Sequence, residues 1–94
     1  MVEAREFQVF GRVQGVGYRW HVMREAGRVG VTGWARNEGD GSVRVYAVGE
    51  AAALDRLHFA LTQGPDLAWV ERVMETPAAL PAGGEPPERF IITV

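Results

Sequence analysis

The chain has 94 residues, of which 47% are hydrophobic, and its composition gives a net charge of −2 and a pI near 5.6. This length and hydrophobic content predict one small domain over residues 1–94 and exclude wholesale disorder, while the charge provides no general attraction to nucleic acid or membranes. The absence of cysteine and lysine excludes disulfides, thiol nucleophiles and lysine-based chemistry.

The N-terminus shows neither a signal peptide nor a membrane span, because charged residues begin at Glu3 and Arg5. We therefore expect a cytoplasmic protein. Because the chain starts at Met1 and its last segment reads as a strand, we expect a free-standing protein and not a fragment of a larger maturation protein. We expect a monomer, with the apolar terminal strand at an exposed sheet edge.

Residues 4–13 alternate between two faces, which is typical of a strand with one side against a core. Phe7, Val9 and Val13 would share one face, and Gln8 and Phe10 the other. The sequence therefore opens with a predicted strand.

A glycine-rich segment, GRVQGVGYR at residues 11–19, links this strand to a predicted helix. Glycine allows positive φ and leaves the backbone bare, so successive N–H groups can converge on an anion beside the helix N-terminus. Arg19 would lie at the mouth with a guanidinium suited to phosphate oxygens. We call residues 14–19 the anion-binding loop. The alternative is a tight connection in which the glycines serve only geometry, and Arg19 favours the anion site.

The first helix is predicted from Trp20 to about Gly30. Apolar residues at helical spacing form one stripe, made of Val22, Met23, Ala26 and Val29. Gly27 is unfavourable inside a helix, and we interpret it as a point of close packing on a sheet.

Three further elements follow in close succession. Thr32 to Asn37 reads as a strand anchored by Trp34, and residues 38–41 (EGDG) as a hairpin turn. Ser42 to Val48 alternates again, so these two strands should pair antiparallel.

The last third of the chain begins with a second helix, predicted from Glu50 to Gln63. A strand follows from Leu67 to Thr76. Pro77 to Pro87 is rich in proline, alanine and glycine and is predicted to be an irregular surface loop. Arg89 to Val94 reads as a short terminal strand.

This order predicts an α+β fold, a ferredoxin-like α/β sandwich of βαββαβ type with a short extra C-terminal strand. Two helices would cover one face of an antiparallel-rich sheet. We expect the first two strands to be parallel and adjacent through a right-handed crossover, so that their C-terminal ends meet at one sheet edge. The three tryptophans are predicted to fill the core.

Asn37 ends the second of these strands and would lie near the anion-binding loop. Asparagine is rare in strands and common at turns, so turn initiation is one interpretation. The other is chemical. An uncharged amide beside a bound anion can hold a water molecule in line for attack without repelling the anion.

Other candidate sites are weaker. We expect His21 to be a partly exposed helix histidine, and His58 a satisfied or an edge histidine. The histidines and carboxylates lack ligand spacing, so no metal is predicted. Phe10 and Tyr46 could imitate the aromatics of an RNA-binding sheet, but the sequence lacks the matching motif and its pI is acidic.

Residues 11–19 closely resemble the signature of the acylphosphatase family. So does Gly33-Trp34-Ala35-Arg36-Asn37 followed by Asp40-Gly41-Ser42-Val43. The two motifs occur in the family's order, and the resemblance covers essentially the whole chain.

The resemblance implies hydrolysis of acyl phosphates to a carboxylate and inorganic phosphate, the latter also an inhibitor, without metal or cofactor. The backbone amides of Gln14, Gly15, Val16, Gly17 and Tyr18, together with Arg19, would hold the phosphoryl group. Asn37 would position the attacking water. A non-catalytic module that binds phosphate or a phosphorylated ligand is the alternative, but the presence of both Arg19 and Asn37 favours an enzyme.

Overall fold

Five strands and two helices follow one another in the predicted order. The computed structural model describes residues 1–94. Its elements are β1 (Val2–Arg12), α1 (Tyr18–Val29), β2 (Thr32–Asn37), β3 (Val43–Glu50), α2 (Ala51–Gln63), β4 (Trp69–Ala78) and β5 (Phe90–Thr93). Helix α1 begins two residues earlier than predicted, and β4 extends into the segment expected to be irregular. Neither helix has the length and hydropathy needed to span a membrane.

The strands form one mixed sheet in the order β4-β1-β3-β2-β5. β3 is antiparallel to both β1 and β2, so β1 and β2 run parallel to each other. They are not adjacent, however, because β3 is inserted between them, and the predicted adjacency is wrong. The expected consequence holds, since the C-terminal ends of β1 and β2 still lie at the same sheet edge.

Both helices pack on one face of the sheet around a single hydrophobic core. Alternate residues of β1 and β3 point into it, as their period of two predicts. The helical stripes contribute the facing layer, and the largest core side chains include Phe7, Val9, Val45, Val22, Leu54, Leu57 and Leu61. The predicted ferredoxin-like α/β sandwich is confirmed.

Trp34 does not fill the core, and that prediction is wrong. Its neighbour Ala35 faces the helices and is fully buried, so Trp34 lies on the opposite, helix-free face of the sheet. There its ring stacks on Tyr46 with centroids 5.8 Å apart, and the Arg36 guanidinium lies 4.7 Å from the Trp34 ring centroid. The indole therefore stabilises the outer face of the sheet.

The other two tryptophans are also outside the core, with Trp20 67% and Trp69 63% exposed. Valine, leucine and alanine fill the interior instead. The interpretation of Gly27 is wrong as well, because a Cβ added there would meet no atom within 4 Å. Gly27 lies on the solvent side of α1, away from the sheet.

Candidate active site

The anion-binding loop turns on two glycines in left-handed conformations. Gly15 has φ 74° and Gly17 has φ 81°. A Cβ at either position would meet no atom within 4 Å, so the backbone conformation alone requires glycine. The loop therefore presents bare backbone to the outside.

The backbone N–H groups of residues 15–18 donate no hydrogen bond within the protein. The first such bond in this region runs from the His21 N–H to the Gly17 carbonyl at 3.1 Å. Gly17 is the N-cap of α1, no side chain caps the helix, and its first turn contains no acidic residue. Unused N–H donors and the positive end of a helix dipole are the groups with which proteins bind anions.

Arg19 lies half-buried in the first turn of α1. Its Nη1 donates a long hydrogen bond of 3.5 Å to the Thr93 carbonyl at the end of β5. It takes part in no ion pair with a carboxylate. The positive charge of Arg19 is therefore not neutralised by the protein.

Asn37 closes β2 on the sheet face that the helices cover. Its Oδ1 is buried and accepts no hydrogen bond from the protein. In the parallel pairing of β2 with β5, Arg36 lies opposite Thr93, the residue whose carbonyl accepts the Arg19 hydrogen bond. The structure thus brings the predicted residues Arg19 and Asn37 to the same end of β2.

The side chain of Gln14 links the anion-binding loop to the turn after Asn37. Gln14 Nε2 donates to the Glu38 carbonyl at 2.8 Å and to the Ser42 carbonyl at 2.9 Å. Sequence reasoning assigned Gln14 only a backbone role and missed this contact. The missed partners are carbonyl groups far along the chain, which leave no pattern in a sequence.

Tyr18 contributes to the loop only through its backbone. Its side chain is buried, and its hydroxyl donates to the Leu61 carbonyl of α2 at 2.6 Å. Burial raises the pKa of Tyr18 above its ordinary value, so the phenol stays neutral and anchors α1 to α2.

His21 is buried, so its predicted partial exposure is wrong. Its Nε2 lies 3.1 Å from the Ala60 carbonyl, at the wall of an open groove of about 630 Å³ between the two helices. We call this the inter-helix groove; it is lined by His21, Glu25, Arg28, Asp55, Arg56, Phe59, Ala60 and Gln63. None of the predicted site residues lines it.

His58 conforms to its prediction as a satisfied or an edge histidine. Its Nδ1 lies 2.7 Å from a carboxylate oxygen of Glu75, and its ring meets Phe7 edge to face. It lies on α2, outside the anion-binding loop.

The Acylphosphatase family model matches residues 5–91, which include the anion-binding loop and Asn37. The chain belongs to the acylphosphatase family. An acylphosphatase from Xanthomonas oryzae pv. oryzae is 48% identical over 90 residues, which cover 96% of this chain and 98% of that protein. One from Pasteurella multocida is 51% identical over 71 residues, covering 76% and 79%.

A solved structure agrees with this family assignment. The crystal structure of acylphosphatase from Bacillus subtilis superposes with a TM-score of 0.90 at 33% identity and covers both chains completely. Family and relatives together confirm the predicted acylphosphatase activity, a hydrolase acting on acyl phosphates and releasing inorganic phosphate. The non-catalytic alternative is not favoured.

Proposed function

We propose that the anion-binding loop holds the phosphoryl group of an acyl phosphate and that Asn37 positions the attacking water. One observation carries this proposal: a run of backbone N–H groups at residues 15–18 without internal acceptors, beside the unpaired cation of Arg19. A phosphoryl group presents three non-bridging oxygens that need several convergent donors. Fixed amides and a guanidinium meet that need without reorganisation.

The water is held by the Asn37 side chain in this mechanism. The side-chain amide of Asn37 hydrogen-bonds to the water, and because the amide is neutral it does not repel the anionic substrate. The water oxygen attacks phosphorus as the bond from phosphorus to the acyl oxygen breaks. The bonding electrons leave with the carboxylate, and the proton of the water passes to a phosphoryl oxygen, giving carboxylate and inorganic phosphate.

This reaction requires neither a general acid nor a metal from the protein. A carboxylate is a good leaving group, so its oxygen needs no proton. The backbone N–H groups and Arg19 bind anions directly and stabilise the negative charge that develops on the phosphoryl oxygens. We therefore propose metal-independent turnover.

The test is hydrolysis of benzoyl phosphate by the wild-type protein in a metal chelator and in ¹⁸O-labelled water. We expect undiminished turnover with the label in inorganic phosphate. A folded protein that shows no turnover above buffer would contradict the proposal, as would label in benzoate. A pH–rate profile that requires an enzyme base near neutrality would contradict the proton transfer to substrate.

We also propose that the protein acts as a cytoplasmic monomer without nucleic acid. The net charge of −2 supports the absence of nucleic-acid binding. On the helix-free sheet face, Arg36 pairs with Glu38 and Arg44 with Glu6, which reduces the positive charge available to a phosphodiester backbone. Light scattering should give the mass of a monomer, and the mass of a dimer would contradict the proposed monomeric state.

A further inference from the structure

We propose that the side chain of Gln14 is a positioning residue that sets the distance between the bound phosphoryl group and the water held by Asn37. This inference rests on the proposed function, which assigns those two roles. It concerns the side-chain amide of Gln14, whereas the anion is bound by backbone groups. The role is therefore separate from phosphate binding.

The contacts connect two segments that have no direct backbone pairing. The anion-binding loop follows β1 and Asn37 ends β2, but β3 lies between these strands. The Nε2 of Gln14 spans this gap and donates to the carbonyls of Glu38 and Ser42, on the two sides of the turn after Asn37. One amide group thereby ties the first residue of the loop to the segment that carries Asn37.

The turn itself holds its shape without Gln14. The Glu38 N–H donates to the Ser42 carbonyl at 2.9 Å, and the Gly41 N–H to the Glu38 carbonyl at 3.2 Å. Asp40 Oδ1 accepts from the N–H and the hydroxyl of Ser42 at 2.9 and 2.6 Å. Both carbonyls that Gln14 contacts therefore keep a backbone donor when Gln14 is replaced. The expected effect is a shift of an intact turn relative to the loop.

A shift of this kind acts on chemistry more than on binding. The attacking oxygen must lie in line with the bond that breaks, and a misplacement of about 1 Å can cost about 10²-fold in rate. The backbone donors and Arg19 determine phosphate affinity, and they do not depend on the Gln14 amide. The predicted signature is a lower kcat at unchanged phosphate inhibition.

The first experiment compares Gln14→Leu and Gln14→Glu with the control Gln63→Leu, in steady-state hydrolysis of benzoyl phosphate. Gln63 lies on α2, and its side chain donates only to the Thr62 hydroxyl. Both Gln14 variants lack the Nε2 donor, and the glutamate side chain has nearly the same shape as that of glutamine. We expect kcat to fall at least about 10-fold in both Gln14 variants. This lies between no effect and the loss of about 10²-fold that a misplacement of about 1 Å can cause. In Gln14→Leu, which adds no charge, inhibition by phosphate should stay within about twofold, and in the control both kcat and inhibition by phosphate should do so.

The second experiment is a double-mutant cycle with Asn37→Ala. If Gln14 acts through Asn37, Gln14→Leu should change kcat by less than about twofold in the Asn37→Ala background. An undiminished effect there would overturn the proposal, and so would wild-type kcat in both Gln14 variants. Wild-type kcat in Asn37→Ala alone would instead overturn the proposed function. If Gln14→Leu does not fold, the same cycle with Gln14→Glu gives the answer.

Discussion

The anion-binding loop and the inter-helix groove are both concave surfaces that involve α1, and they differ in what their polar groups do. In the groove, Arg28 pairs with Glu25 at 3.2 Å, and Asp55 accepts a hydrogen bond from Arg5 at 2.7 Å. In the loop, the N–H groups of residues 15–18 have no internal acceptor. Three charged residues of the groove therefore have partners, Glu25, Arg28 and Asp55, whereas the N–H groups of the loop have none within the protein.

On this difference we base the proposal that the anion binds at the loop, where donors are unused, and not in the inter-helix groove. An unpaired N–H group at a helix N-terminus gains free energy from water or a ligand and adds nothing to the fold. Groove ions that already pair, such as Arg28 with Glu25, offer an incoming anion little. The variants below compare the two regions.

Replacing Arg19 should have the largest effect. We expect Arg19→Ala to lower kcat at least ~10²-fold, by analogy with the loss of one donor to a developing charge. It should also weaken inhibition by inorganic phosphate, since a cation is removed from the anion site. The matched control is Arg56→Ala in the groove, and equal loss in both variants would remove the distinction between the regions.

Asn37→Ala should also lower kcat by about 10²-fold, because the water loses its hydrogen-bond partner. Unlike Arg19→Ala, it should leave inhibition by phosphate nearly intact. Inhibition constants measured beside kcat separate the two roles. A large loss of phosphate binding in Asn37→Ala would contradict the water-positioning role.

Two glycines near α1 should respond to alanine with opposite signs. Gly17 has φ 81°, so Gly17→Ala should destabilise the fold by about 1–3 kcal/mol. Gly27 lies within the helix with open space at its Cβ position, so Gly27→Ala should stabilise it by about 1 kcal/mol. Urea denaturation measures both. A neutral Gly17→Ala would show that the loop does not need its left-handed conformation.

His21→Leu affects the groove side of α1. We expect a loss of about 1 kcal/mol in the free energy of unfolding, because the hydrogen bond to the Ala60 carbonyl disappears. The kcat for benzoyl phosphate should stay within about twofold, as expected for independent sites. A fall in kcat comparable with that of Arg19→Ala would give the groove a part in catalysis.

Replacing Asp40 should have the smallest effect, a change in the free energy of unfolding that is detectable only at acidic pH. Hydrogen bonds from the Ser42 hydroxyl and N–H hold the pKa of Asp40 below its ordinary value. Its stabilising contribution is therefore present above the unfolded-state pKa of about 3.9 and is lost as pH falls through the lower folded-state pKa. Asp40→Asn should lose less stability than the wild type over that range. Parallel stability profiles would contradict this assignment.

The element order was predictable from sequence because its signals are local. Period-two and helical patterns identified every strand and helix. The proposed anion site rests on an equally local signal, a glycine-rich segment ending in Arg19. Trp34 was misplaced because alternation shows that two faces exist and not which one the helices cover. The contact of His21 with α2 and those of Gln14 with the turn join distant segments, and no local pattern encodes them.

The most direct test of the central claim is a titration of the ¹⁵N-labelled protein with inorganic phosphate, followed through its amide NMR signals. We expect the largest shifts at residues 15–19, where unused N–H groups meet the anion, and weaker shifts in Arg19→Ala. Saturating shifts at residues 55–63 of the inter-helix groove, with residues 15–18 unchanged, would contradict the central claim.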